Sequence, residues 1–93
     1  MPPLGVELTP RFRAGARALP AERRQQLAQA VAMLAGTFGQ PHLHSGLGIR
    51  RLKGAYFECR VGRDTRIVFK LEAGTAALVL VGNHEDVRRF IKG

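Results

Sequence analysis

Apolar and polar residues alternate singly over three stretches of the chain and recur every three or four residues over three others, dividing it into strands and helices. Leu4, Val6 and Leu8 alternate with Gly5 and Glu7, which predicts a short first strand ending at Thr9-Pro10. Thr9 can cap a following helix and Pro10 can take its first position, where a missing N–H costs nothing. Phe12, Ala16 and Leu19 then share one face, with Arg11, Arg13 and Arg17 turned away. Pro20 opens a second helix in the same manner, with Glu22 in its first turn and Leu27, Val31, Leu34 and Phe38 at helical spacing. Ala28, Ala30, Ala32 and Ala35 would let this helix lie close to a sheet or to its predecessor. Gly36 and Gly39 fray its end and Gln40-Pro41 stops it. The Pro, Ser and Gly content of 41–48 predicts a loop.

Ile49 to Leu52 begins the sheet, with Arg50, Arg51 and Lys53 crowded before Gly54, and from Tyr56 onward the period is two. Phe57, Cys59 and Val61 alternate with Tyr56, Glu58 and Arg60, and Thr65, Ile67, Phe69 and Leu71 alternate with Arg66, Val68 and Lys70. Gly62-Arg63-Asp64 between them is hairpin turn chemistry, and the apolar faces coincide if Cys59 lies opposite Ile67 and Phe57 opposite Phe69. That register sets Arg60 opposite or diagonal to Arg66. Facing like charges destabilise a ladder by up to about 1 kcal/mol. Two arrangements relieve them: an anion between the guanidiniums, or arginines that splay into water or find a carboxylate such as Glu58. After the turn Glu72-Ala73-Gly74, the continuous apolar run Ala76 to Val81 suits a strand buried on both faces in the middle of a sheet. Asn83 is a good N-cap with Asp86 three residues on, and Val87, Phe90 and Ile91 supply the buried side of a last short helix. The element order predicts an α+β fold: an N-terminal strand and a two-helix pair packed on a mainly antiparallel sheet of about four to five strands, with a short C-terminal helix.

Composition adds charge to this picture. Fifteen lysines and arginines against seven acidic residues leave +8 over 93 residues, a length that suits one domain spanning the whole chain. Most of the excess is arginine, whose planar donors suit phosphate, so nucleic acid or an acidic protein is the implied partner. No helix combines a basic face with enough exposed apolar bulk to favour a membrane surface. The single cysteine, Cys59, falls on the inferred core face and reads as a small buried hydrophobe. Neither a signal peptide nor a membrane span is apparent, and a cytoplasmic location is expected. His42 and His44 in the loop lack the carboxylate or cysteine partners of a metal site, although His44 has the chemistry to donate to a phosphate. His84 falls where a strand hands over to a helix, a place that favours anions; it also fits a plain solvated helix start.

Three segments carry a family likeness: LKG at Leu52 to Gly54, FECRVGRDTRIVF at Phe57 to Phe69, and VGNHEDVRRFI at Val81 to Ile91. With the element order, they resemble the RelE/ParE superfamily of toxins from bacterial toxin–antitoxin systems, over essentially the whole chain. In the favoured RelE- and YafQ-like branch, the resemblance implies an endoribonuclease that cuts messenger RNA, often on the ribosome. It implies no metal or other cofactor, and a monomeric toxin silenced by an antitoxin that wraps around it. Arg66 matches the arginine of the family's strand motif, and Arg60 falls close to a basic residue one strand earlier. His84 resembles the proton-transferring histidine of YafQ-type members. Arg50, Arg51, Lys53, Arg63 and Arg88 would supply RNA docking. The chain departs from some RelE-type members in carrying Arg88 in place of a tyrosine and Glu58 and Arg60 in place of lysines. ParE-like members share the scaffold but poison DNA gyrase by binding, and an inactive RNA-binding relic fits the charge as well; the response to induction separates the two toxin readings, stopped translation against an SOS response.

Overall fold

The computed structural model describes residues 5–37 and 48–92. In chain order these form β1 (Gly5–Leu8), α1 (Pro10–Arg17), α2 (Ala21–Thr37), β2 (Arg50–Lys53), β3 (Tyr56–Val61), β4 (Thr65–Glu72), β5 (Thr75–Gly82) and α3 (His84–Lys92). One five-stranded sheet runs in the order β1-β5-β4-β3-β2, with β1 parallel to β5 and all other neighbours antiparallel. This is the expected α+β arrangement. Leu4 of the first strand, Phe38 and the helix stop at Gly39 to Pro41, and the loop histidines His42 and His44 lie outside the described residues.

Local chemistry accounts for the helix starts. Thr9 caps α1 by accepting from the Phe12 N–H at 3.3 Å, and its hydroxyl donates to the Leu78 carbonyl at 2.8 Å, which ties α1 to β5. Pro10 holds the first turn as expected. Pro20 sits one position earlier than expected, as the residue before α2, where its carbonyl accepts from the Arg24 N–H at 2.9 Å. Leu27, Ala30 and Leu34 form the buried stripe of α2. Ala28 and Ala32 face outward because 100° per residue rotates them off that stripe, so close packing involves Ala30 and half-buried Ala35 alone among the four alanines. Gly15 lets α1 approach β5, since a Cβ there would stand 2.9 Å from Val81 Cγ1.

The sheet is covered on both sides. Phe12 of α1 and Leu27, Ala30 and Leu34 of α2 pack on Cys59, Val61, Ile67, Phe69, Ala76, Leu78 and Val81. On the other face, Val87 of α3, flanked by Phe90 and Ile91, packs on Val68 and Leu80. Strand β4 is the middle strand; β5 lies one place nearer the edge because β1 adds beyond it. The Ala76 to Val81 run is therefore interior without being central, and it serves both cores through a register shift in which Val79 is the extra residue between Leu78 and Leu80. Among the described residues, no helix is long and apolar enough to cross a membrane.

Candidate functional site

The β3–β4 register is the expected one: Cys59 pairs with Ile67, Phe57 with Phe69, and Arg60 faces Arg66 directly. Because side chains alternate along a strand, placing the cysteine and phenylalanines against α1 and α2 puts Glu58, Arg60 and Arg66 on the α3 face. Across the sheet, Arg50 pairs with Glu58 and Glu58 with Val68, while the next row runs Arg60, Arg66 and Gly82. Gly82 ends β5, and two residues later His84 opens α3. The result is a hollow of about 270 Å³ lined by Gly48, Arg50, Glu58, Arg60, Arg66 and His84.

The two facing arginines separate in different ways. Arg66 turns to Glu58, with Nη1 3.6 Å from Oε1, and Arg50 Nε stands 3.5 Å from the same oxygen. Glu58 is thus the carboxylate that relieves one guanidinium, as the second of the two expected arrangements requires. Its side chain is 3% exposed, against 67% for Arg50 and 23% for Arg66. Arg60 instead lies against the backbone of Gly48, where a Cβ would fall 2.7 Å from Nε, and it has no ion pair among the described residues. One cluster therefore holds three guanidiniums and one carboxylate, a net positive hollow with an imidazole at its margin.

The start of α3 fixes that margin. Asn83 Oδ1 accepts from the Asp86 N–H at 2.9 Å and Asp86 Oδ2 accepts from the Asn83 N–H at 2.8 Å, a reciprocal cap. The cap needs Gly82: a Cβ there would lie 2.5 Å from Asp86 Oδ2. The hydrogen bond from the Asn83 backbone, then Arg89 at 2.6 Å, hold the Asp86 carboxyl below the usual carboxylate range. With its helix entry locked this way, His84 is exposed and borders both this hollow and a second one of about 350 Å³, lined by Arg63, Asp64, Arg66, Asn83, His84 and Glu85.

The structure brings Arg50, Arg60, Arg66 and His84 together and sets Arg63 in the adjoining hollow. Arg51, Lys53 and Arg88 line neither: Arg51 donates to the Gly54 carbonyl at 2.9 Å, Lys53 follows it at the sheet edge, and Arg88 pairs with Glu85 at 3.2 Å. Sequence reasoning named Glu58 as one way of relieving the arginines and as a departure from a family lysine but missed its burial, and it missed Gly48 as the backbone wall behind Arg60. The signal for Glu58 was its phase, the same as that of Arg60 and Arg66 across a register the apolar residues had already set. Among the described residues no cluster of side chains suited to holding a metal ion is present.

Solved toxin structures share this architecture. RelE in the archaeal RelE–RelB complex from Pyrococcus horikoshii superposes with a TM-score of 0.71 at 12% identity, covering 88% of this chain and 96% of that one. An Escherichia coli RelE mutant in the free state gives 0.70 at 15% identity over 96% and 92% of the two chains. E. coli YafQ gives 0.67 at 16% identity over 90% and 97%. No protein-family model and no curated protein sequence matches the chain. The chain has the RelE-like fold.

Proposed function

We propose that this protein is the toxin of a toxin–antitoxin pair and that it cleaves messenger RNA in the hollow on the α3 face. The observation that carries this reading is the convergence of Arg50, Arg60, Arg66 and His84, from three different strands and a helix start, on one hollow of a RelE-like fold. Guanidinium groups fixed on a sheet are suited to the equatorial oxygens of a phosphorane, and preorganised donors aimed at developing charge are among the larger contributions a protein makes to such a step. The reaction is attack of a ribose 2′-hydroxyl on its own 3′-phosphorus: the O2′–H bond breaks and its proton passes to water in the open hollow, the P–O2′ bond forms, the P–O5′ bond breaks, and the 5′-oxygen of the next nucleotide leaves with a proton. His84 supplies that proton, because imidazole exchanges protons near neutral pH and His84 is open to solvent at the rim. Arg63 borders the path of the strand; Arg51, Lys53 and Arg88 act at longer range by electrostatic docking to RNA or to the ribosome.

An antitoxin is the protein partner in this reading, and the solved RelE–RelB and DinJ–YafQ complexes support it. Its acidic or amphipathic segment would cover the arginine face, with fast, salt-sensitive association. The proposal places the toxin in the cytoplasm. The Arg66–Glu58 contact is the observation that favours a second reading, a gyrase-binding toxin in which these arginines are structural.

Cell-free translation with wild type and His84→Ala, followed by primer extension on the messenger, tests the choice. Cleavage that drops at least about 100-fold in the variant, the scale of a lost general acid, is the expected result. Intact messenger and unimpaired translation would overturn the ribonuclease reading and direct the next assay to DNA gyrase.

A further inference from the structure

Glu58 is the one side chain of the hollow that the arginine and histidine chemistry leaves over. Oε1 lies between Arg50 and Arg66, at 3.5 and 3.6 Å, while two buried atoms of the cluster, Glu58 Oε2 and Arg66 Nε, have no hydrogen-bond partner among the described residues. Buried polar atoms are almost always bonded, and an ionised carboxylate offers only acceptor sites. A purely structural counter-ion role explains Oε1 and leaves Oε2 idle. A bare phosphate on the arginines would aggravate the mismatch, since it adds a second anion and brings no donor. The ligand that satisfies both halves of the hollow carries an anion for the guanidiniums and a hydroxyl donor directly beside it. In a nucleic acid that donor is the ribose 2′-hydroxyl, adjacent to the 3′-phosphate and absent from DNA.

We infer that Glu58 is a specificity-determining residue that accepts a hydrogen bond from the 2′-hydroxyl of the nucleotide whose 3′-phosphate Arg50, Arg60 and Arg66 hold. The inference rests on the RNA reading given above. Arg50, with a side chain 67% exposed, is the member of the ion cluster able to swing off Oε1 onto the phosphate, which frees the carboxylate to turn an oxygen toward the hollow, whereas the less exposed Arg66 stays beside it. Glu58 then sorts ribose from deoxyribose at the step of binding, before any bond is broken.

Affinity is the readout, because a strand without a 2′-hydroxyl cannot be cut in any case. A short labelled oligoribonucleotide and its 2′-fluoro counterpart, which keeps the ribose pucker but cannot donate, are titrated by fluorescence anisotropy against the His84→Ala protein, so that the RNA survives. The expected preference for RNA is about tenfold or more, the scale of one hydrogen bond to a charged group. It falls to roughly threefold in His84→Ala/Glu58→Gln, where a neutral acceptor halves the bond, and to about 1 in His84→Ala/Glu58→Met. Equal affinity for the two strands overturns the inference while leaving RNA binding standing, and needs no Glu58 variant to be folded. A preference that survives both substitutions also overturns it, by placing 2′-hydroxyl recognition elsewhere. If neither strand binds, the RNA reading itself fails and the inference with it.

Discussion

Gly48 decides where the Arg60 guanidinium rests. Its φ of +59° suits glycine, and the Arg60 head occupies the space a side chain would fill. Gly48→Ala should therefore cost about 1 kcal/mol of stability and displace Arg60, so that oligoribonucleotide affinity falls severalfold while the circular dichroism spectrum is unchanged; unchanged affinity would remove Arg60 from the site. Cys59 makes an opposite kind of prediction. Burial, aided by the neighbouring Glu58 charge, pushes its thiol up to about 12, so the native protein should resist iodoacetamide at pH 8 and react only as it unfolds. Rapid native alkylation would show that the Cys59 side of the sheet opens. Both residues were partly legible in the sequence. The phase of Cys59 marked it as core, whereas the contact between Gly48 and Arg60 joins positions separated by a whole strand and turn, and no local pattern records it.

At the scale of elements, the α3 cap orders the entry that carries His84. Asn83→Ala removes one half of the reciprocal cap and should destabilise the protein by about 1 kcal/mol, a fall in Tm of roughly 4–8 °C for a domain of this size, with a matching loss of RNA cleavage if His84 works from that position. The Asp86 half carries a pH signature. Its folded pKa is depressed, so its contribution is fully present above the unfolded carboxylate value near 3.9 and is lost as pH falls through the lower folded value. The Tm gap between wild type and Asp86→Asn should accordingly stand from neutrality down to about pH 5 and close below about pH 4; a gap that stays constant in acid would deny Asp86 its charged role. Caps, turns and the β3–β4 register were legible because each depends on residues within one turn or one hairpin. The parallel pairing of β1 with β5 and the choice of sheet face for α3 were not, since both are set by packing between segments far apart in the chain.

For the whole molecule, charge and fold point the same way. A net charge of +8 predicts attraction to any polyanion, and the sheet brings Arg50, Arg60 and Arg66 into one hollow, the place proposed above for a phosphate. In the proposed RNA site, three arginines on phosphate should give a log affinity against log salt slope near −2 for single strands, and Arg60→Ala should reduce that slope by less than about 1. The measurement that bears most directly on the account is a two-dimensional NMR titration of the ¹⁵N-labelled His84→Ala protein with a short oligoribonucleotide. The expected shifts are concentrated at Gly48 to Arg50, Glu58 to Arg60, Arg66 and Gly82 to Glu85. Shifts confined to the outer faces of α1 and α2, or none at all, would contradict it.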